Sequence, residues 1–283
     1  MAFRTATRIL PAQATQDGAG VRLLRALGHQ RQARLDPFLM LDAFSSDDPD
    51  DYIAGFPPHP HRGFETVTYI VDGHMRHRDH LGNEGDLRAG GVQWMTAGRG
   101  IIHEEMPQQE NGLLRGFQIW INLPVADKMQ PASYRDIPAA RIPVRELANG
   151  GFVKLIAGTL EVEGSPMAGA EQGSAATRPL IADVRIADGE TLELPVPAGH
   201  QAMLYVFEGA LDVDGEAVPA GNSVIYGEGD ALRVAGRGGP VRVLLLAGQP
   251  LNEPIAQYGP FVMNTQQEIE QALADYRGGV LAV

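Results

Sequence analysis

Apolar residues along this chain gather into short runs rather than long ones. Glu65–Val71, Val92–Thr96, Phe117–Leu123, Ala202–Phe207 and Val241–Ala247 are rich in Val, Ile, Leu, Tyr and Phe, and scattered Gly and Pro punctuate the stretches between them. Runs of this length between turn residues predict strands, and many at regular spacing predict a sandwich or barrel. Helical periodicity shows near the end of the chain. There Thr265-Gln266-Gln267-Glu268 reads as a capping box, Ile269, Leu273 and Tyr276 share one face, and Gly278 closes the helix. The predicted class is mainly β with a short C-terminal helix.

An internal repeat sets the domain count. Tyr69-Ile70-Val71-Asp72-Gly73 resembles Tyr205-Val206-Phe207-Glu208-Gly209 at an offset of 136, and Ala89-Gly90 resembles Ala220-Gly221 at an offset of 131. Each copy reads strand, acidic-Gly turn, strand, Ala-Gly turn, strand, which predicts two similar β-barrel (jelly-roll) domains side by side. The expected boundaries are an N-terminal barrel over residues 1–125, a linker with connecting strands over 126–180, and a C-terminal barrel over 181–283. Pro124, Pro131, Pro138 and Pro143, then the small-residue segment Gly164–Gly173, mark the linker.

Composition narrows the chemistry. Apolar residues make up 44% of 283, a globular balance. Lys and Arg number 23 against 35 Asp and Glu, a net charge of -12, which argues against a nucleic-acid or anionic-membrane partner. The absence of cysteine excludes disulfides, iron–sulfur clusters and thiol nucleophiles. With no apolar leader after Met1 and no long apolar stretch, the expected location is the cytoplasm.

Two segments carry chemistry. In Pro57-Pro58-His59-Pro60-His61-Arg62-Gly63-Phe64-Glu65 the histidines are two apart, so on an extended segment both aim one way. Pro60 cannot donate to a ladder and suits an edge. If the strand runs unbroken, Glu65 faces the same way. In Gly98-Arg99-Gly100-Ile101-Ile102-His103-Glu104-Glu105 the pair His103 and Glu105 repeats the geometry. On neighbouring strands the two pairs would set three imidazoles and a carboxylate around one point, a donor set that suits Fe, Zn, Cu or Ni and leaves positions open on the ion. The repeat provides a control. Its offsets carry His59 and His61 onto Pro195 and Pro197, and His103 and Glu105 onto Val234 and Gly236, so the second barrel is expected to hold no metal.

Other residues are less decided. His74, His77 and His80 follow a turn in a polar stretch, which reads as a solvated hairpin. Gln118 shares a strand face with Trp120 and Asn122; it either reaches a pocket above the metal or satisfies a polar interior. Phe56 and Trp94 are expected in core or pocket wall, with Arg62 close by.

Together these residues resemble the pirin family of the cupin superfamily. The resemblance runs through Leu39-Met40-Leu41-Asp42, His59-Pro60-His61-Arg62-Gly63-Phe64-Glu65-Thr66, Gln93-Trp94-Met95-Thr96-Ala97-Gly98-Arg99-Gly100, Ile101-Ile102-His103, Glu105-Met106-Pro107, Trp120-Ile121-Asn122-Leu123-Pro124 and Asn264-Thr265. It implies a bicupin with metal in the N-terminal barrel, held by His59, His61, His103 and Glu105, with Glu65 behind the ligands. It implies one divalent transition metal, iron(II) first, with Mn, Ni, Cu or Zn able to occupy related sites. Bacterial members resemble quercetin 2,3-dioxygenases, so the expected activity is cleavage of a flavonol with O2 and release of carbon monoxide, Glu105 doubling as catalytic base. Other members resemble iron-dependent transcription cofactors that bind a protein partner without turnover, which is the alternative. A zinc isomerase acting on a sugar phosphate is a weaker third reading, since Arg62 and Arg99 are the basic residues near the motifs. Two barrels in one chain already provide the pairing of single-barrel cupins, so a monomer is expected.

Overall fold

The computed structural model describes residues 2–29, 34–109, 111–148 and 150–282. The chain is built mainly of strands, with one α-helix, Gln266–Arg277, among the described residues. No helix among them is long and apolar enough to cross a membrane. The chain forms two compact units. One comprises Ala14–Arg34, Phe38–Ala139 and Leu251–Val283, and the other Met1–Gln13, Leu35–Pro37 and Ala140–Pro250.

Each unit is organised on an antiparallel seven-stranded sheet, and six of the seven strands follow one order in both, the exception being the edge strand given first for each. In the first unit the order is Ser133–Ile137, Val92–Thr96, Phe64–Asp72, Leu114–Asn122, Phe38–Ser46, Val21–Leu27, Gln13–Asp17. In the second it is Ala6–Pro11, Asn222–Tyr226, Gln201–Glu208, Val241–Gly248, Leu180–Ile186, Gly151–Ala157, Val144–Glu146. The internal repeat read from the sequence therefore corresponds to a repeated strand order. A four-stranded sheet completes the first unit, in the order Phe56–His61, Ile101–Pro107, His74–Asp79, Glu84–Arg88.

The units cut the chain differently from boundaries at 125 and 181. The strand Ala6–Pro11 pairs with Asn222–Tyr226 and belongs to the second unit. Residues 126–180 are shared out: Ser133–Ile137 closes the first sheet beside Val92–Thr96, whereas Gly151–Ala157 joins the second beside Leu180–Ile186. The C-terminal helix packs in the first unit, where Ile269 and Ala272 meet Phe261, Met263 and Leu281. A sheet edge is closed by main-chain hydrogen bonds, so the sequence of an edge strand does not say which edge it closes. The capping box itself is present: Thr265 accepts from the Glu268 amide, and Glu268 accepts from the Thr265 amide.

The second unit is dry. Leu192, Leu194, Leu232 and Val234 of its short Thr191–Pro195/Ala231–Ala235 ribbon are buried, together with Leu204, Val224, Val243 and Leu245 of its large sheet. Its one histidine, His200, is buried with no hydrogen-bond partner on either ring nitrogen. Burial, helped by Arg178 and Arg4, pushes that imidazole down to about 4.

In the first unit Lys128 is the buried polar tie. Its Nζ donates to the carbonyl of Gly63 at 2.7 Å, to Asn122 Oδ1 at 2.6 Å and to the carbonyl of Val262 at 3.0 Å. The ammonium thus joins the entry to one central strand, the exit of another and the segment that leads to the helix. Burial lowers its pKa to about 8.

Two predictions follow from these groups. Lys128→Met leaves three buried acceptors without their donor and is expected to destabilise the protein by about 2–4 kcal/mol in urea unfolding; a change near zero would remove its role as a tie. For His200, the unfolded chain takes up a proton near pH 6.5 that the folded chain refuses until about 4, so stability is full above about 6.5 and falls as pH drops through that window. His200→Phe is expected to lose less stability than wild type between about pH 7 and pH 5, by roughly 1–2 kcal/mol. Equal losses in the two proteins would contradict the buried, neutral imidazole.

Candidate metal centre

The edge strand Phe56–His61 carries Pro57, Pro58 and Pro60 and pairs on one side with Ile101–Pro107. An edge is where strand prolines are tolerated, since their missing N–H leaves no central ladder broken. The register sets His103 opposite His59 and Ile101 opposite His61, with a bulge before Glu105 meets Phe56. The three predicted imidazoles thus converge, whereas Glu105 is not among the groups whose ligand atoms lie within 4.8 Å of one another. One ligand nitrogen from each of His59, His61 and His103 lies within 4.8 Å of the others, and the ring centroids stand 4.3 to 4.9 Å apart.

The ring nitrogens show how the cluster is arranged. His59 Nδ1 lies 2.9 Å from the carbonyl of Pro57, which fixes the hydrogen there and leaves Nε2 free. His103 Nδ1 lies 3.3 Å from Nδ1 of His77. His103 Nε2 and His61 Nδ1 are buried without a partner. Burial, reinforced by the neighbouring imidazoles, holds His61 and His103 well below the usual imidazole range. Both are therefore neutral at pH 7 and offer lone pairs rather than charge. Orphaned, neutral, convergent imidazoles are what a divalent ion requires, and the donor set fits one.

Glu105 approaches the same place from the strand of His103. Its carboxylate is held from the opposite sheet: Thr68 Oγ1 is 2.8 Å from Oε1, and Gln118 Nε2 donates to Oε2 at 2.8 Å. Burial raises its pKa, against the hydrogen bond from Thr68, the nearby His59 and the bond from Gln118. Gln118 is thus both a pocket residue and the holder of Glu105. Above these groups opens a cavity of about 570 Å³, whose wall includes Met40, Phe44, Phe56 and Trp120 beside the cluster and Arg25 with Asp42. The Trp120 ring lies 5.3 Å from that of His61, edge-on.

Glu65 and Arg62 lie away from the cavity, and Trp94 takes the core place of its two expected ones. Glu65 does not continue the face of His61, because the strand breaks. Gly63, with φ +90°, turns the chain from the four-stranded into the seven-stranded sheet, and a Cβ there would stand 2.0 Å from the Val262 carbonyl. Glu65 then pairs with Thr96, one step out of phase with Thr68, and accepts from Trp94 Nε1 and Thr96 Oγ1. Trp94 shares that face and is not in the cavity wall. Arg62 leads away from the cavity, to Asp275 of the helix at 2.7 Å and to the carbonyl of Arg99. The solvated-hairpin reading also fails for His77, which is 1% exposed, though it holds for its neighbours: His74 pairs with Asp86 and His80 accepts from the Ile102 amide near the surface. Met75 and His77 alternate as buried positions on their strand, a faint period-two signal in the sequence. Thr68 and Arg25 fall outside every motif read from the sequence, and Asp42 enters there only within Leu39-Met40-Leu41-Asp42.

Comparison with known proteins follows the same lines. The Pirin family model matches residues 20–121, and the Pirin C-terminal cupin domain model matches residues 181–282. A Pseudomonas aeruginosa protein named "putative quercetin 2,3-dioxygenase" is 50% identical over 99% of each chain. A Vibrio cholerae protein of the same name is 46% identical over 98% of this chain and 97% of its own. The crystal structure of quercetin 2,3-dioxygenase from Acinetobacter baumannii superposes with a TM-score of 0.89 at 34% identity, covering 99% of both chains. Two cupin domains of matching strand order, a histidine cluster in one of them and identities of this extent establish that the chain belongs to the pirin family.

Proposed function

We propose that this protein is a metal-dependent dioxygenase that opens flavonols such as quercetin with O2 and releases carbon monoxide, with iron(II) as its metal. The observation that carries the reading is the convergence of His59, His61 and His103 beside Glu105 at a cavity large enough for a three-ring phenol. The names of the similar proteins from P. aeruginosa, V. cholerae and A. baumannii support the substrate class.

A bound divalent transition metal would supply Lewis acidity toward a phenolic oxygen and redox chemistry toward dioxygen. The three imidazoles would hold it, with Glu105, at the cavity wall beside them, as its carboxylate ligand. Glu105 also has the properties of a base for the 3-hydroxyl proton: burial raises its affinity for a proton, while Thr68 and Gln118 keep its oxygens aimed. Trp120, Phe44 and Phe56 provide flat apolar surface that excludes water from an aromatic ligand. The sugar-phosphate alternative finds no basic wall, because Arg25 in the cavity is paired with Asp42 and Asp17.

The test is anaerobic reconstitution with Fe(II), Mn(II), Ni(II), Cu(II) and Zn(II) in turn, with metal content by mass spectrometry and turnover by loss of the quercetin band. One ion per chain with carbon monoxide release is expected, and His61→Ala is expected to lose both. One ion per chain without turnover would refute the dioxygenase reading and leave a metal-dependent binding protein. Glu105→Gln is expected to lower turnover by about 100-fold or more while some metal is retained. Full metal occupancy with full turnover in that variant would exclude the base role.

A further inference from the structure

His77 lies on the strand His74–Asp79 in register with Glu105, so its side chain enters the same face as the cluster. Its ring centroid is 5.0 Å from that of His103, and the two Nδ1 atoms are 3.3 Å apart. Two imidazole nitrogens at this distance share one hydrogen, one donating and the other accepting. If Nε2 of His103, buried and unpartnered, faces an ion, the hydrogen of His103 must sit on Nδ1. His77 Nδ1 is then its acceptor, and the hydrogen of His77 sits on Nε2, which is buried with no partner among the described residues.

His77 is itself held. Its ring stacks on Tyr134 at 4.5 Å with 17° between the planes. The space for this comes from Gly85, which pairs with His77 on the next strand. A Cβ on Gly85 would stand 1.6 Å from the Tyr134 hydroxyl and 2.0 Å from Asp136 Oδ2. Gly85 is absent from the residues with positive φ, so its missing side chain serves this slot and not a turn. In the slot the Tyr134 hydroxyl is hydrogen-bonded to Asp136, and Gln93 Nε2 lies 3.5 Å from it.

We infer that His77 is a positioning residue for the metal centre: it accepts the Nδ1 hydrogen of His103 and so directs Nε2 to the ion, while Tyr134, seated over Gly85, locks the His77 ring. This rests on the metal reading above. Outer hydrogen-bond partners of this kind orient the ligand and raise its basicity.

The experiment measures Co(II) affinity by chelator competition, with ligand-field absorption and apo-protein melting alongside, for wild type, His77→Phe and His77→Gln. Phe keeps a ring against Tyr134 and removes the acceptor; its affinity is expected to fall about 10–100-fold, with shifted Co(II) bands. Gln restores an acceptor oxygen and is expected to recover most of the loss. Affinity of the Phe variant within about twofold of wild type would overturn the inference, as would a Gln variant as weak as Phe, which would reduce His77 to a space-filler. If His77→Phe fails to fold, Gly85→Ala serves instead, since its methyl displaces Tyr134; weakened Co(II) binding supports the lock, and unchanged binding overturns it. A folded wild type that binds no Co(II) would end the metal reading and this inference with it, whereas unchanged variants of a metal-binding wild type end this inference alone.

Discussion

An imidazole removed from water is stable only in its neutral form, and a neutral imidazole has one nitrogen that must donate and one that must accept. Two such rings, His61 and His103, each set a nitrogen within 4.8 Å of one on the half-buried His59, which makes this the governing constraint on the first unit. His59 meets it with the Pro57 carbonyl and His103 with His77. The remaining lone pairs have no protein partner, and His103 Nε2 and His61 Nδ1 are buried in that condition. The carboxylate is restrained from the other side of the barrel, by Thr68 and Gln118 of the seven-stranded sheet. The three imidazoles and Glu105 come from one sheet and the groups that aim Glu105 from the other, so the distance between sheets is part of the site.

The second unit shows the same strand order without that constraint. Where His103 pairs with His59 in the first unit, Val234, the residue that the repeat offset sets in place of His103, is buried opposite Leu192. Aliphatic residues fill the interior, and such a core makes no hydrogen-bonding demand of its own, the buried His200 apart. The polar positions of the first unit are therefore a departure that the fold tolerates in one copy. Lys128 belongs to the same economy of buried polar groups, since its three acceptors fix where the strand Phe64–Asp72 begins after the Gly63 turn. That start decides which residues of the strand face Glu105.

Much of this was legible in the sequence because strand alternation is local. His59 with His61, and His103 with Glu105, needed only a period of two, and the repeat needed only matching turns. The helix was legible from its capping box and Gly278. What failed depended on where strands break and which edges they join. Glu65 was misjudged because the strand ends at His61 and restarts at Phe64 in another sheet. Arg62, beside that break, turns to Asp275, more than two hundred positions away. His77 looked like part of a wet hairpin until its register with Glu105 placed it inside. The division of residues 1–13 and 251–283 between the units likewise rests on edge pairing and packing that composition does not encode.

The cavity's charge balance bears on what it can select. Arg25 makes two hydrogen bonds to Asp42, at 2.8 and 2.7 Å, and lies 3.1 Å from Asp17. Its pairing with Asp42 raises its pKa, while burial pushes Asp42 up in spite of that partner. Asp42 stands opposite Gln118 on the next strand, so a row of polar groups runs from the carboxylate holder to the Arg25 pair. A single cation matched by two carboxylates offers no excess positive charge to a phosphate or carboxylate ligand. It does offer donors and acceptors at fixed positions, framed by Phe44, Phe56 and Trp120. Under the dioxygenase proposal such a wall would discriminate by shape and hydroxyl placement, the recognition that an uncharged polyhydroxylated aromatic ring calls for and a sugar phosphate does not.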